Sequence, residues 1–409
     1  MLHFSYPMPQ LHYFNPGHET AVLNGSSYYM PPATISLMQT ELAFLPAWYA
    51  ATDDFILTKG IISPNFLQQL TKWLGSFPTP LTYQEIIEKG TFLPPAIASP
   101  WGISPQSLQI YNQLKKESNW QLTLPFYDET YAHLCNRQTA AICLRSLFQF
   151  LPSLNKKLLP RFRSSIQEIE TILHEEQEVF LLKAPYSSSG RGLLRVANKL
   201  RATDKQWISG ILKKQGNISI ELFLDKQLDF ALEFFSTGKG NILYEGLSLF
   251  HTTKQGKYLG NTLNTQEKIE KQITSFISQD LLNRVRDALS YILQDTISYL
   301  YEGYLGIDMM IYKDPVGNFH LHPCVEINMR HTMGIVALFF SNKYLAETSE
   351  GILRIEYYPT SQEAYQKHLT LEKTYPVHVE DGKIQSGYFA LCPVTKQNKY
   401  LAYVNINSH

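Results

Sequence analysis

The sequence lacks most of the features that assign a protein quickly. No apolar run approaches the ~18 residues of a membrane span, and "GIVALFF" at 334–340 is core-sized. Neither charge is in excess: Lys+Arg and Asp+Glu are 36 each. A formal net charge of zero gives no electrostatic reason to expect nucleic acid or an anionic membrane as partner. The four cysteines, at 135, 143, 324 and 392, form no CxxC pair and no tight even spacing. That pattern reads as reduced thiols in a cytosolic protein, not as a disulfide framework. "MLHFSYPMPQLHYF" has no basic head and no continuous apolar stretch, so no signal peptide is expected and the cytoplasm is the default location. There is no GxxxxGK[ST], which excludes a P-loop, and no GxGxxG after a strand pattern, which excludes a Rossmann fingerprint. Internal repeats and low-complexity segments are absent as well.

What is present is ordinary globular material. At 409 residues, 44% hydrophobic and 18% charged, the chain has room for a sizeable core and for two or three domains of roughly 150 residues. "LHYFNPGHE" at 11–19 reads as a short strand followed by a turn at Asn15, Pro16 and Gly17. Helical spacing at 34–50 and a buried strand at 54–58 begin a loose alternation that continues to about residue 130 and argues for an α/β layer domain. A helix follows at 136–152, and Ser165 with Glu168 in capping-box spacing opens another. Residues 217–235 and 241–252 are β-like by their β-branched and aromatic content, and 265–301 reads as one long helical region. Terminal strands close the chain.

Three constellations carry chemistry. In "LLKAPYSSSGRG", Ser187, Ser188, Ser189 and Gly190 offer hydroxyls and an unobstructed backbone that can surround phosphate oxygens. Lys183 sits in the apolar strand before them, where it needs an anionic partner; the bland alternative is a hairpin with a snorkelling lysine. In "NFHLHPCVEINMR", 318–330, every second residue is apolar, a strand signature. Its other face carries Glu326, Asn328 and Arg330, and a hairpin across 313–318 would bring Asp308 beside them. Such oxygen ligands suit magnesium shared with substrate phosphates. The alternatives are a salt bridge from Asp308 or Glu326 to Arg330, and a zinc or iron site of His320, His322 and Glu326. In "ISIELFLDKQLDF", Glu221, Asp225 and Asp229 could accept from an adenine amino group and ribose hydroxyls, or be solvated strand-end acids.

In this order the pieces resemble the ATP-grasp superfamily over roughly 120–340. Its members join a lysine strand, a Gly/Ser loop, an acidic hinge, a long helix and a final D…E-x-N-x-R strand pair. The resemblance implies an α/β (α+β) architecture: an N-terminal α/β pre-ATP-grasp domain at 1–130, an ATP-grasp domain at 131–345 and a strand-containing extension at 346–409. It implies ATP and Mg2+ (or Mn2+) as cofactors. Lys183 and Arg137 would serve the phosphates together with the loop 187–190. Glu221 and the Leu224 backbone would read adenine, and Asp229 or Asp225 would hold the ribose. Asp308, Glu326 and Asn328 would bind the metal, and Arg330 would face the reacting carboxyl group. Gly306 stands where some members carry a basic residue for the γ-phosphate, leaving that contact to Lys254 or Lys257. The implied activity is a ligase forming a C–N bond from a small-molecule carboxylate and an amine. A phosphotransferase and an inactive nucleotide-binding protein are the alternatives. A homodimer is carried as an open expectation. His18 and Glu19, after the first strand, are read from the residues themselves as an acceptor-substrate loop, with Glu19 holding an ammonium group, or else as a plain helix start.

If these pieces form one nucleotide site, Mg-ATP at ~100 times its dissociation constant adds about 2.7 kcal/mol to stability. A thermal melt that moves with another nucleotide but not with Mg-ATP removes the adenine assignment.

Overall fold

The computed structural model describes residues 8–187, 192–253 and 256–408. Its first sheet is parallel: β1 (Gln10–Tyr13), β2 (Phe55–Thr58), β3 (Thr79–Thr82), β4 (Ala96–Pro100) and β5 (Leu122–Thr123) lie in the order β3-β2-β1-β4-β5. β2, Phe-Ile-Leu-Thr, is buried along its whole length, as strands covered by crossover helices on both faces must be. The helices start where the sequence supplies caps. Thr82 accepts from the Glu85 N–H while the Glu85 carboxylate accepts from the Thr82 N–H, and Pro105 opens the Pro105–Ser118 helix behind Ser104. The chain steps outward from β1 through β2 and β3, then returns to β4 on the other side. Crevices at such a switch point are where open α/β sheets bind ligands. There the Asn15 side chain donates to the Gly102 carbonyl at 2.7 Å and accepts from the Gly102 N–H at 3.1 Å, fixing the loops after β1 and β4 against each other.

The second sheet is antiparallel, with β6 (Arg161–Arg163), β7 (Val179–Lys183), β8 (Leu193–Ala197) and β9 (Ile218–Leu222) in the order β6-β9-β7-β8. The Ile166–Glu176 helix, capped by Ser165 and Glu168 as their spacing predicts, shares its core with the Ala202–Gln215 helix.

The third sheet contains β10 (Asp225–Thr237), β11 (Ile242–Thr252), β12 (Tyr258–Leu263), β13 (Glu302–Lys313), β14 (Phe319–Asn328), β15 (Ser349–Tyr357), β16 (His378–Glu380), β17 (Lys383–Ala390) and β18 (Tyr400–Ser408). Their order is β14-β13-β10-β11-β12-β15-β18-β17-β16, so residues past 346 extend the same sheet that carries Asp308 and Glu326. Phe230, Leu232 and Phe234 of β10 enter a core with the Arg137–Phe150 and Gln279–Thr296 helices. The alternate residues Asp229, Ala231 and Glu233 line a cavity on the other face. The strand period of two thus separates core from site.

Three expectations change. The helical region 265–301 is two helices, Gln266–Thr274 and Gln279–Thr296, because the Ser278 hydroxyl accepts from the Leu281 N–H at 3.2 Å and starts the second one afresh. The β-like stretch 217–235 divides at Phe223 and Leu224 into β9 and β10, which belong to different sheets. The alternation of 318–330 breaks. Asp308 pairs with Glu326 but Met310 with His322, so two residues along β13 span four along β14. Pro323, which has no N–H for the ladder, lies in that bulge. Beyond it Cys324 turns into the core, its thiol donating to the Ala140 carbonyl at 3.6 Å, and Val325 lines the cavity.

A buried seam ties the first sheet to the third. Trp48 packs its ring 5.3–5.7 Å from Phe77, Phe340, Tyr344 and Phe389 and donates its indole N–H to the Leu391 carbonyl. His331, just past β14, stacks on Tyr49 at 4.5 Å, and its backbone N–H donates to the Trp101 carbonyl at 2.9 Å. Burial, with His12 adding to it, pushes the His331 imidazole down to about 3. An unfolded imidazole takes a proton below about pH 6.5 while this one stays neutral. The stability His331 contributes is therefore complete above about pH 6.5 and lost as pH falls toward 3, at about 1.4 kcal/mol per pH unit. Urea denaturation of wild type and His331→Gln between about pH 7 and pH 4.5 should show their difference in unfolding free energy shrinking with pH; a constant difference refutes the buried neutral imidazole.

Candidate functional site

A cavity of about 1060 Å³ lies between the second and third sheets and reaches the loops after β1 and β4. Lys183, the last residue of β7, projects into it. The register sets Leu181 opposite Glu221 and Lys183 opposite Ser219, and from this diagonal position Lys183 Nζ pairs with Glu221 Oε2 at 2.5 Å. Both are almost fully buried, so the lysine has the anionic partner its apolar strand demands. Burial works to raise the Glu221 carboxyl, but the Lys183 charge and hydrogen bond, with Arg137 behind, hold it below the ordinary carboxylate range. His322 lies in the same charge environment, and burial first, then the Lys183 cation, push it down to about 4. Glu221 is thus engaged by lysine, while Leu224 lines the cavity with its carbonyl accepting from the Lys226 N–H.

Arg137 opens the helix that follows Asn136 and is held by three partners. Its Nε donates to the Ala184 carbonyl at 3.0 Å, its Nη2 to Ser187 Oγ at 3.2 Å, and Nη2 also pairs with Glu326 Oε1 at 3.2 Å. It therefore couples the chain leaving β7 to Glu326 of β14. Ser187 packs against Gly192, where an added Cβ would lie 2.4 Å from the serine Cβ. Ser188, Ser189, Gly190 and Lys254 lie outside the described residues. Lys257 is exposed and its neighbours Gly256 and Tyr258 face the cavity instead. Asp229 pairs with Lys226 Nζ at 2.5 Å and accepts from the Thr252 hydroxyl at 2.8 Å, whereas Asp225 is exposed on the cavity rim with no cation beside it among the described residues.

Hairpin pairing sets Asp308 directly opposite Glu326, and Gly306 opposite Asn328. Burial, then the neighbouring Glu326 and Glu233 charges, push the Asp308 carboxyl well above its ordinary range against the hydrogen bond from Asn328. Two carboxyls and an amide oxygen meet here, and that oxygen-donor set fits a divalent hard cation. The zinc or iron alternative does not assemble. His320 pairs with Asp314 at 2.8 Å on the exposed hairpin end, and among the described residues no three His, Cys, Asp or Glu side chains group as a metal cage.

Arg330 lines the cavity and is anchored from behind. Its Nε donates to Glu19 Oε1 at 2.6 Å, its Nη2 to Asn328 Oδ1 at 3.0 Å and its Nη1 to the His331 carbonyl at 3.1 Å. This corrects the reading of the β1 loop. Glu19 and His18 are buried and do not line the cavity; Phe14 and Pro16 do. Burial would raise the Glu19 carboxyl, but the Arg330 and His18 charges together outweigh it and hold Glu19 far below the ordinary range. Its charge is already met inside the protein, so it positions the arginine and is not free for an ammonium group. His18 fits against Gly102, where any side chain would collide with the ring, and its Nε2 stands 3.9 Å from Cys135 Sγ.

The cavity also holds a buried acid that was not read from the sequence. Glu233 is 1% exposed in β10, accepting from the Ser248 hydroxyl at 2.8 Å and the Thr332 hydroxyl at 3.0 Å. Burial raises its carboxyl to about 7 against those two hydrogen bonds. The signal was present in "DFALEFF": an acid flanked by apolar residues, two and four residues along from Ala231 and Asp229, on the face that carries Asp229.

No protein-family model matches this chain, and no curated protein matches it. Solved structures do. A biotin carboxylase–β,γ-ATP complex from Campylobacter jejuni is similar over 98% of this chain and 87% of its own, with a TM-score of 0.51 and 10% identity. The biotin carboxylase domain of the Hydrogenobacter thermophilus 2-oxoglutarate carboxylase, solved with MgADP and bicarbonate, is similar over 99% and 87%, with a TM-score of 0.51 and 10% identity. Sequence identity this low carries architecture alone, and together with the mixed sheets around one cavity it gives a plain result: the chain has the ATP-grasp fold.

Proposed function

We propose that the protein is an ATP-dependent ligase that activates a carboxylate as an acyl phosphate for attack by an amine. The observation that carries this reading is the opposition of Asp308 and Glu326 in a cavity whose facing wall presents Lys183 and Arg137. Paired acid oxygens on one wall and two cations on the facing wall are complementary to a magnesium nucleotide. In the reaction a substrate carboxylate oxygen attacks the γ-phosphorus as the bond to ADP breaks. The amine nitrogen then attacks the acyl carbon, phosphate leaves with the C–O bond electrons, and the nitrogen loses a proton.

The chain's own groups bind and orient. Lys183 and Arg137 neutralise phosphate oxygens, Leu224 and its neighbours flank the base, and Asp229 or Asp225 takes the ribose. Asp308, Glu326 and Asn328 would hold Mg2+, which supplies charge neutralisation on the transferring phosphoryl group. Arg330, set by Glu19, presents a fixed cation where the activated carboxylate carries negative charge. Phe14, Met38 and Trp101 form an apolar wall that keeps water from a hydrolysable intermediate.

The test is a panel of small carboxylates with Mg-ATP and hydroxylamine as the trapping amine. Hydroxamate, ADP and phosphate should appear together and depend on one acid. ADP with a phosphorylated product inert to hydroxylamine gives the phosphotransferase instead, and nucleotide binding without any turnover gives the inactive binder.

Two variants separate binding from chemistry. Lys183→Ala should weaken Mg-ATP binding by about 1.5–3 kcal/mol, the worth of a charge-assisted hydrogen bond, or roughly 10- to 150-fold in dissociation constant. Glu326→Gln should bind nucleotide but lose turnover by about 100-fold or more, the order seen when one preorganised electrostatic group is removed. Full turnover of Glu326→Gln at saturating magnesium would sink the metal platform.

A further inference from the structure

Arg330 keeps part of its guanidinium unspent. An arginine carries one N–H on Nε and two on each terminal nitrogen. Here Nε donates to Glu19, Nη2 to Asn328 and Nη1 to the His331 carbonyl. One N–H on each terminal nitrogen is left without a partner among the described residues. Two donors on adjacent nitrogens match the two oxygens of one carboxylate. The side chain is 17% exposed and lines the cavity, so those donors can be reached.

Two loops of the first sheet close on this arginine. Glu19, its partner at 2.6 Å, follows the loop after β1, and the Trp101 carbonyl after β4 accepts from the His331 N–H at 2.9 Å. The same loops present Phe14, Pro16 and Trp101 to the cavity, with the Phe14 and Trp101 ring centroids 5.0 Å apart. Met38 comes from the Ala33–Glu41 helix, which lies on the β1 loop: a Cβ at Gly17 would meet Ile35 at 2.8 Å. Met333, three residues past Arg330, opens the Met333–Tyr344 helix. Phe14 and Trp101 are buried in one hydrophobic core, against which Met38 and Met333 pack. Pro16, Met38 and Met333 are only half-buried and line the cavity, so part of their surface is open to it. Leu224, at the base end, lies instead on the connection between the second and third sheets.

This wall offers one positive charge and otherwise apolar surface. The His331 imidazole beside Arg330 is buried and held neutral. Glu233, buried and accepting from the Thr332 hydroxyl at 3.0 Å, stands between Arg330 and Met333 along this turn and repels a second anionic group. We infer that the carboxylate substrate is a monocarboxylate with an apolar body, its oxygens on the open N–H groups of Arg330 and its body against Pro16, Met38 and Met333 over Phe14 and Trp101. This rests on the ligase reading for the fate of the bound acid, and adds its chemical class. Arg330 Nη2 also holds Asn328 of the metal platform at 3.0 Å, so a carboxylate on this arginine stands beside the phosphoryl group it must attack. Methionine thioethers adapt to different outlines, so the wall selects for apolarity more than for one exact shape.

Equilibrium binding to the full chain in the presence of Mg-ADP tests this without turnover. The probes are 3-phenylpropanoate, 3-phenylpropan-1-ol, which keeps the body and lacks the charge, and propanoate, which keeps the charge and lacks the body. Wild type should bind 3-phenylpropanoate roughly tenfold or more tightly than either, the order of one charge-assisted contact or one buried ring. If it binds no tighter than the alcohol, or no tighter than propanoate, the inference is overturned. Met38→Glu sets a like charge on the wall and should weaken 3-phenylpropanoate by roughly tenfold while keeping the Mg-ATP thermal shift. Unchanged affinity in that variant overturns the inference too, and the wild-type comparisons decide it if the variant does not fold. A protein that prefers 3-phenylpropanoate yet makes no hydroxamate from any acid loses the ligase reading alone. One that makes hydroxamate from small hydrophilic acids in preference to 3-phenylpropanoate loses only the apolar subsite.

Discussion

Asp308 and Glu326 face each other across one strand pair, and much of the site answers that placement. Two carboxyls this close cannot both stay charged in a poorly solvated wall without compensation. Part of it is internal: Arg137 reaches Glu326, and Asn328 bonds to Asp308. Burial, with the Glu326 and Glu233 charges beside it, still outweighs these contacts and holds Asp308 toward its protonated form. A divalent cation and a nucleotide would complete the balance that folding leaves open. The local cost of this arrangement is carried by apolar cores on the far face of the same strands.

Rigidity reaches the platform from two directions. Arg137 ties β14 to the chain leaving β7, so the lysine strand and the acid strand are joined through one guanidinium. Arg330 ties the end of β14 to Glu19 behind β1, and His331 continues that link into Tyr49 and Trp101. The first sheet therefore serves the site in two ways. Glu19 behind β1 fixes the arginine, and Phe14, Pro16 and Trp101 on its loops wall the cavity. A side chain near a cavity is not thereby one that lines it: Glu19 is the example, since its charge is spent on Arg330.

Much was legible locally. The capping box at Ser165, the buried strand at 54–58 and the hairpin that opposes Asp308 to Glu326 follow from residue spacing and turn chemistry, which act over a few residues. The expense of a charge in an apolar strand singled out Lys183 and Asp308 before any contact was known. The same rule applies to Glu233, an acid set between Leu232 and Phe234 in β10.

By itself, then, the sequence determined which stretches form strands and helices, and which polar residues had to find partners. Those are consequences of periodicity, caps and desolvation along the chain. It could not determine the partners. Only the tertiary structure decided that Glu221 takes Lys183, that Glu19 takes Arg330, and that Cys324 leaves the cavity face at the Pro323 bulge. These outcomes depend on register and on contacts between residues up to 311 positions apart, and no local pattern encodes which of several acids arrives beside which base.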